Sequence, residues 1–251
     1  MSEIHAIFIV MLLFVITAPV SADSEQATMT SAARQTECVI LLHGLTRSER
    51  SMRPLAKALR KDGYQVINRS YPSTKYTVAV LSDMAIEGAL SSCANETQTI
   101  HFVTHSLGGI LVRYYMKHNM LPKLGRVVMI APPNQGSEVV DNFEKVPGFG
   151  ALNGPAGNEL GTGPDSVPNS LGSVDYPVGV IAGTRSINLI LSLSLPGDND
   201  GKVTVERTKV EGMTDFVTVA ASHPFIMQKK TTIALTRKFL AYGNFASEVP
   251  R

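Results

Sequence analysis

The sequence predicts an α/β fold: a mostly parallel sheet with helices on both faces and a Gly/Pro-rich insertion. Two observations carry this. Short continuous apolar runs of strand length alternate along the chain with helical patterns of ten residues or more, which is the signature of βαβ units. The chain has 251 residues, 44% hydrophobic and 18% charged, enough to bury one core and consistent with a single domain.

Taken in chain order, residues 1–22 stand apart. Ala6–Val20 is almost wholly apolar but short for a membrane span, and Val20-Ser21-Ala22 has the small-x-small pattern of a cleavage site. A secretory signal peptide is expected, and with it export to the periplasm or the medium. Met1–His5 carries Glu3 and no Lys or Arg, so an uncleaved N-terminal anchor stands as the alternative. Residues 23–36 are small and polar, as in a flexible mature N-terminus, and 37–251 form the folded domain.

Val39–Leu42 is the first strand, closed by His43-Gly44. Within Met52–Lys61, residues Leu55, Ala56 and Leu59 stand at helical spacing, and Asp62-Gly63 stops the helix. Gln65–Asn68 is the next strand. Val78, Leu81, Ala85 and Ala89 make one stripe of a helix over Val78–Leu90. Ile100–Val103 reads as a strand, Leu107–Lys117 as a helix, and Val127–Ile130 as a strand ended by Pro132-Pro133. From Asn134 to Asp175 the periodicity dissolves among glycines and prolines. A structureless loop of this length is uncommon in a compact domain unless it works. It stands where a lid or substrate-covering insertion would sit; a packed surface loop is the alternative. Val178–Ala182 and Phe216–Ala220 are the last two strands, and Phe225–Leu240 a closing helix.

Two cysteines, Cys38 and Cys93, are an even count in an exported chain and permit a disulfide. Each falls just before a strand. If those strands are neighbours their starting ends lie close and a bridge is expected; two buried thiols are the alternative.

In such sheets, sites lie outside the carboxyl ends of the strands, and this rule sorts the reactive residues. Val103-Thr104-His105-Ser106-Leu107-Gly108-Gly109 places Ser106 between an apolar strand and a helix. That is the context of a nucleophile elbow, G-x-S-x-G, in which glycines let strand and helix approach. Thr104 replaces the first glycine. A helix N-cap is the plainer use of such a serine. An oxyanion hole needs two backbone N–H groups; Leu107 would supply one and Leu45 or Thr46, after His43-Gly44, the other.

A base must reach Ser106 from the carboxyl side. His5 lies in the apolar segment, His101 inside a strand, and His118 at the far end of a helix. His43 belongs to the oxyanion loop, and His105 adjoins Ser106 with its side chain leaving in another direction. His223, in Ser222-His223-Pro224 after a strand, remains. Between Ser106 and His223 the acid candidates are Asp198, Asp200 and Asp215. Asp215 stands at the starting end of its strand. Asp200, before Gly201, is favoured over Asp198, although Asp-Gly is also a common solvated turn.

Together these residues resemble the α/β-hydrolase superfamily, and in particular its bacterial exported esterase and lipase-like branch. The resemblance rests on His43-Gly44-Leu45, on Thr104 through Gly109, on Pro132-Pro133-Asn134-Gln135-Gly136-Ser137, on Asn199-Asp200-Gly201-Lys202-Val203 and on Ser222-His223. It covers roughly Glu37 to Leu240. It implies hydrolysis of carboxylic esters through an acyl-enzyme on Ser106, without metal or organic cofactor. A small-molecule or lipid ester is the implied partner, with transient contact at a membrane surface compatible with a lipid substrate. An acyltransferase or thioesterase with the same residues, and a non-catalytic binding protein of this fold, are the alternatives. The formal charge of +2, with no run of either sign, argues against a nucleic-acid partner. No Gly-x-Gly-x-x-Gly follows the first strand, which argues against a dinucleotide binder.

Overall fold

A computed structural model describes residues 36–143, 145–187, 192 and 195–246. The expected signal peptide (1–22) and all but the last residue of the expected flexible N-terminus (23–36) lie outside them. Among the described residues, no helix is long and apolar enough to cross a membrane.

Six strands form one sheet: β1 (Glu37–Leu42), β2 (Gln65–Asn68), β3 (Thr99–His105), β4 (Leu124–Ile130), β5 (Val178–Gly183) and β6 (Asp215–Val219). Their order is β2-β1-β3-β4-β5-β6, and every neighbouring pair is parallel. The inner strands β1 and β5 are near-continuous apolar runs because both faces are covered. In β1, Cys38, Ile40 and Leu42 enter one core layer while Val39 and Leu41 enter the other, the two-residue alternation of a pleated strand.

The first layer packs α2 (Val78–Leu90) and α3 (Leu107–His118) on the sheet through Leu81, Ile86, Ile110 and Leu111. The second packs α1 (Arg53–Lys61) and α8 (Lys230–Tyr242) through Leu55, Leu59, Phe239 and Leu240. Helix α1 starts at Arg53 rather than Met52, which closes a 3₁₀ turn over Glu49–Met52. Pro54 sits in its first turn, where a missing N–H costs no helical bond. The expected closing helix is split. A 3₁₀ turn spans Ile226–Gln228 and α8 begins only at Lys230.

The Gly/Pro-rich stretch is not structureless, contrary to expectation. It contains α4 (Glu138–Phe143), α5 (Phe149–Asn158) and α6 (Val167–Ser170), while α7 (Val205–Thr208) follows β5. Helix α5 is broken at Gly154, with φ 69° and ψ −178°, directly before Pro155. Such short and broken helices leave no periodic stripe to read.

Cys38 and Cys93 are joined in a disulfide. β1 and β3 are neighbours in the sheet, so the bridge ties the start of β1 to the loop that feeds β3.

Candidate active site

β3 ends at His105, and Ser106 turns the chain into α3 with φ 53° and ψ −120°. A non-glycine residue in that region costs roughly 1–3 kcal/mol and persists only where its surroundings impose it. Two close approaches impose it here. A Cβ on Gly108 would lie 2.7 Å from the Leu42 carbonyl oxygen at the end of β1, so α3 can start this close to the sheet only with glycine there. A Cβ on Gly109 would lie 3.3 Å from Thr104 Oγ1. Thr104, which stands where the elbow motif has its first glycine, therefore packs against the bare backbone of Gly109. Its hydroxyl faces the Val128 carbonyl at 3.4 Å. Ser106 starts α3 without a side-chain cap hydrogen bond, which removes the N-cap reading.

His223 comes to Ser106 from beyond β6. Its Nε2 lies 2.9 Å from Ser106 Oγ, and its Nδ1 lies 2.7 Å from Asp200 Oδ2. All three residues are buried. Asp200 Oδ1 accepts the N–H groups of Lys202 and Val203, at 3.0 and 2.9 Å. The carboxylate is thus held by its own turn, and only Oδ2 is left for the imidazole. Asp198, the runner-up, is exposed. Asp215, at the start of β6, accepts from the N–H groups of Phe216 and Phe245.

The other histidines have separate work. His101 pairs with Glu37 and accepts the Arg126 N–H. His118 stacks on Tyr114 near the end of α3. His43 lies parallel to Tyr71, ring centroids 4.0 Å apart, and its Nε2 accepts the Tyr71 N–H; burial lowers its pKa. The Tyr71 hydroxyl donates to the His43 carbonyl. Ser73 Oγ takes the Thr46 N–H at 3.1 Å. That removes Thr46 as a free donor, whereas the Leu45 and Leu107 N–H groups have no acceptor among the described residues.

Sequence reasoning missed His105. Its Nε2–H donates to the His223 carbonyl at 3.0 Å, while the His223 N–H donates to the Asp200 carbonyl at 3.0 Å. The backbone of His223 is thus held through both its carbonyl and its N–H. His105 is buried, and desolvation, then the nearby His223, hold its pKa well below the ordinary value. Tyr71 and Ser73 were missed as well. The one signal for them was their place after the carboxyl end of β2.

A cavity of about 420 Å³ opens onto Ser106 and His223. Val139, Val140 and Phe143 of α4 and Phe149 and Leu152 of α5 contribute to its wall, together with Leu45. The insertion is anchored to the turn that carries Asp200 and to the helix after it: Ser137 Oγ donates to the Lys202 carbonyl at 2.6 Å, and Arg207 pairs with Glu138 at 2.7 Å. Asn134 bonds the Thr208 carbonyl and takes a contact from buried Arg113. The Pro132–Ser137 segment thus joins the end of β4 to the segment that carries Asp200. Among the described residues, no group of His, Cys, Asp and Glu has the arrangement to hold a metal ion.

No protein-family model and no curated protein matches the sequence. Solved structures do. A Bacillus licheniformis lipase in its mature form aligns over 80% of this chain and 91% of its own, at 19% identity and TM-score 0.62. A metagenome-derived lipolytic enzyme aligns over 82% of this chain and 94% of its own, at 16% identity and TM-score 0.61. A Pyrococcus furiosus esterase aligns over 82% of each chain, at 23% identity and TM-score 0.58. With the parallel sheet and its order already in hand, these likenesses identify the architecture: the chain has the α/β-hydrolase fold.

Proposed function

We propose that the protein is a serine hydrolase of carboxylic esters that works through an acyl-enzyme on Ser106. The observation that carries this reading is the hydrogen-bonded series Asp200–His223–Ser106, placed at a strained turn and opening into an apolar cavity. Similarity to lipases and esterases supports the substrate class.

In this mechanism Ser106 Oγ attacks the ester carbonyl carbon while its proton passes to His223 Nε2. Asp200 Oδ2 holds the Nδ1–H and stabilises the imidazolium that forms. The oxyanion is taken by the N–H groups of Leu45 and Leu107, which have no acceptor among the described residues. Collapse of the intermediate expels the alcohol oxygen, which leaves with the proton from Nε2. Water then loses a proton to His223 and attacks the acyl carbon. The acid departs, and Ser106 recovers its proton.

Replacing Ser106 by Ala is expected to abolish turnover of short p-nitrophenyl esters and labelling by a fluorophosphonate, with the fold intact by circular dichroism. Undiminished turnover would sink the assignment. Analysis of products in the presence of a competing alcohol separates hydrolysis from acyl transfer. The disulfide supports an oxidising, exported location.

A further inference from the structure

Two cations line the cavity beside Ser106 and His223, and neither is paired with a carboxylate among the described residues. Arg47 follows the Leu45–Thr46 loop, and Lys202 follows Asp200 and Gly201 in the acid turn. Among the described residues, neither the Arg47 guanidinium nor the Lys202 ammonium has an ion pair or side-chain hydrogen bond. Asp200 is the sole carboxylate among the described residues that line it, and both its oxygens are engaged by His223 and by backbone N–H groups.

The two charges feel each other. Lys202 is exposed as a residue, yet desolvation around its ammonium lowers its pKa; the Arg47 guanidinium lowers it further, and Asp200 opposes both. Both cations also disfavour a proton on His105, the immediate neighbour of Ser106. Like charges kept together at the rim of a low-dielectric cavity are unfavourable until an anion joins them. Most of the remaining wall is apolar, with Leu45, Val139, Val140 and Leu160 among its residues, and Thr46, Ser137, Asn153 and Ser186 add uncharged polar groups.

We infer that the cavity takes an ester that is also an acid: an apolar chain lies against α4 and α5, and a separate anionic group is held by Arg47 and Lys202. The inference rests on the hydrolase reading and narrows its substrate. Such a substrate is an acidic amphiphile, either a soluble ester with a carboxylate or phosphate, or an anionic lipid. An anion here would make charge-assisted contacts with a guanidinium and an ammonium at a partly shielded site.

The test compares matched substrates. One arm uses butyrate esters of 4-hydroxybenzoate and of its methyl ester, with rates corrected for the intrinsic lability of each leaving group, and the p-nitrophenyl monoester of succinate against its methyl-capped form. A second arm measures fatty-acid release from phosphatidylglycerol and from phosphatidylcholine vesicles. The unaltered protein is expected to favour the anionic member of at least one pair by roughly five- to tenfold in kcat/KM at low salt. Raising the salt to 1 M, where screening acts within about 3 Å, should shrink that ratio. In R47Q/K202Q the ratio should fall close to one.

Preference in the soluble pairs identifies a soluble acid, and preference in vesicles an anionic lipid; either supports the inference. Equal rates within every pair overturn it, as does a preference that survives in R47Q/K202Q. Turnover that Ser106→Ala abolishes, but that is blind to charge, removes this inference and leaves the hydrolase reading standing. Absence of turnover on every ester removes both.

Discussion

Asp200 Oδ1 serves the turn and Oδ2 serves the imidazole, so the two oxygens do different work. Asp200→Asn tests this division. An amide N–H facing His223 would force Nδ1 to accept, move the ring proton to Nε2 and leave nothing to take the Ser106 proton. A fall in kcat of about 10³–10⁴-fold is expected, with no comparable loss from Asp198→Asn, since Asp198 is exposed and offers Val205 only its backbone carbonyl. Equal effects of the two variants would show that the acid has been misassigned. That Asp200 and His223 would come together beside Ser106 was legible because strand ends excluded their rivals. His105 was not. Its spacing beside Ser106 shows only that its side chain diverges from the elbow, and what that side chain meets depends on the return of the chain 118 residues later.

At the scale of elements, the sheet was readable and the insertion was not. Buried parallel strands declare themselves as apolar runs, and all six were found, the errors being at their ends. Residues Leu124, Gly125 and Arg126 belong to β4 although they do not prolong its apolar run, and the register with β3 shifts across them. Helices α4, α5 and α6 have 6, 10 and 4 residues, too few turns for a stripe, and their stability comes from packing over the cavity. Phe143 and Phe149 meet there, ring centroids 6.1 Å apart. If α4 and α5 cover the acyl chain, Phe149→Ala removes about 1–2 kcal/mol of apolar contact from a chain that reaches it. That predicts roughly a tenfold lower kcat/KM for p-nitrophenyl octanoate and little change for the acetate. An equal fall for both esters would place the ring outside the acyl path.

At the scale of the whole molecule, the site depends on β1 and β3 keeping register, because their carboxyl ends carry the Leu45 loop and Ser106. The disulfide closes a separation of 55 residues at their other ends, and a loop of that size is worth about 4 kcal/mol. The variant C38A/C93A should therefore melt roughly 10 °C lower by calorimetry; an unchanged Tm would show that the sheet holds register without it. The dependence on pH follows from the two buried imidazoles. His43 and His105 are both held below the ordinary pKa, chiefly by desolvation, so the folded protein resists protonating them. The unfolded chain takes up these protons as the pH falls below about 6.5. In that window the unfolded state binds more protons, and stability must fall with pH, by up to about 1.4 kcal/mol per pH unit for each group. Above about pH 6.5 neither state is protonated, and this contribution is flat. Denaturant midpoints at constant ionic strength between pH 7.5 and 5 should show the decline. In His105→Gln, which keeps an N–H donor for the His223 carbonyl but does not titrate, the slope should be about half as steep. A variant slope equal to that of the unaltered protein would mean that His105 is already protonated when folded, and a protonated His105 beside His223 would disfavour the imidazolium that the proposed mechanism requires.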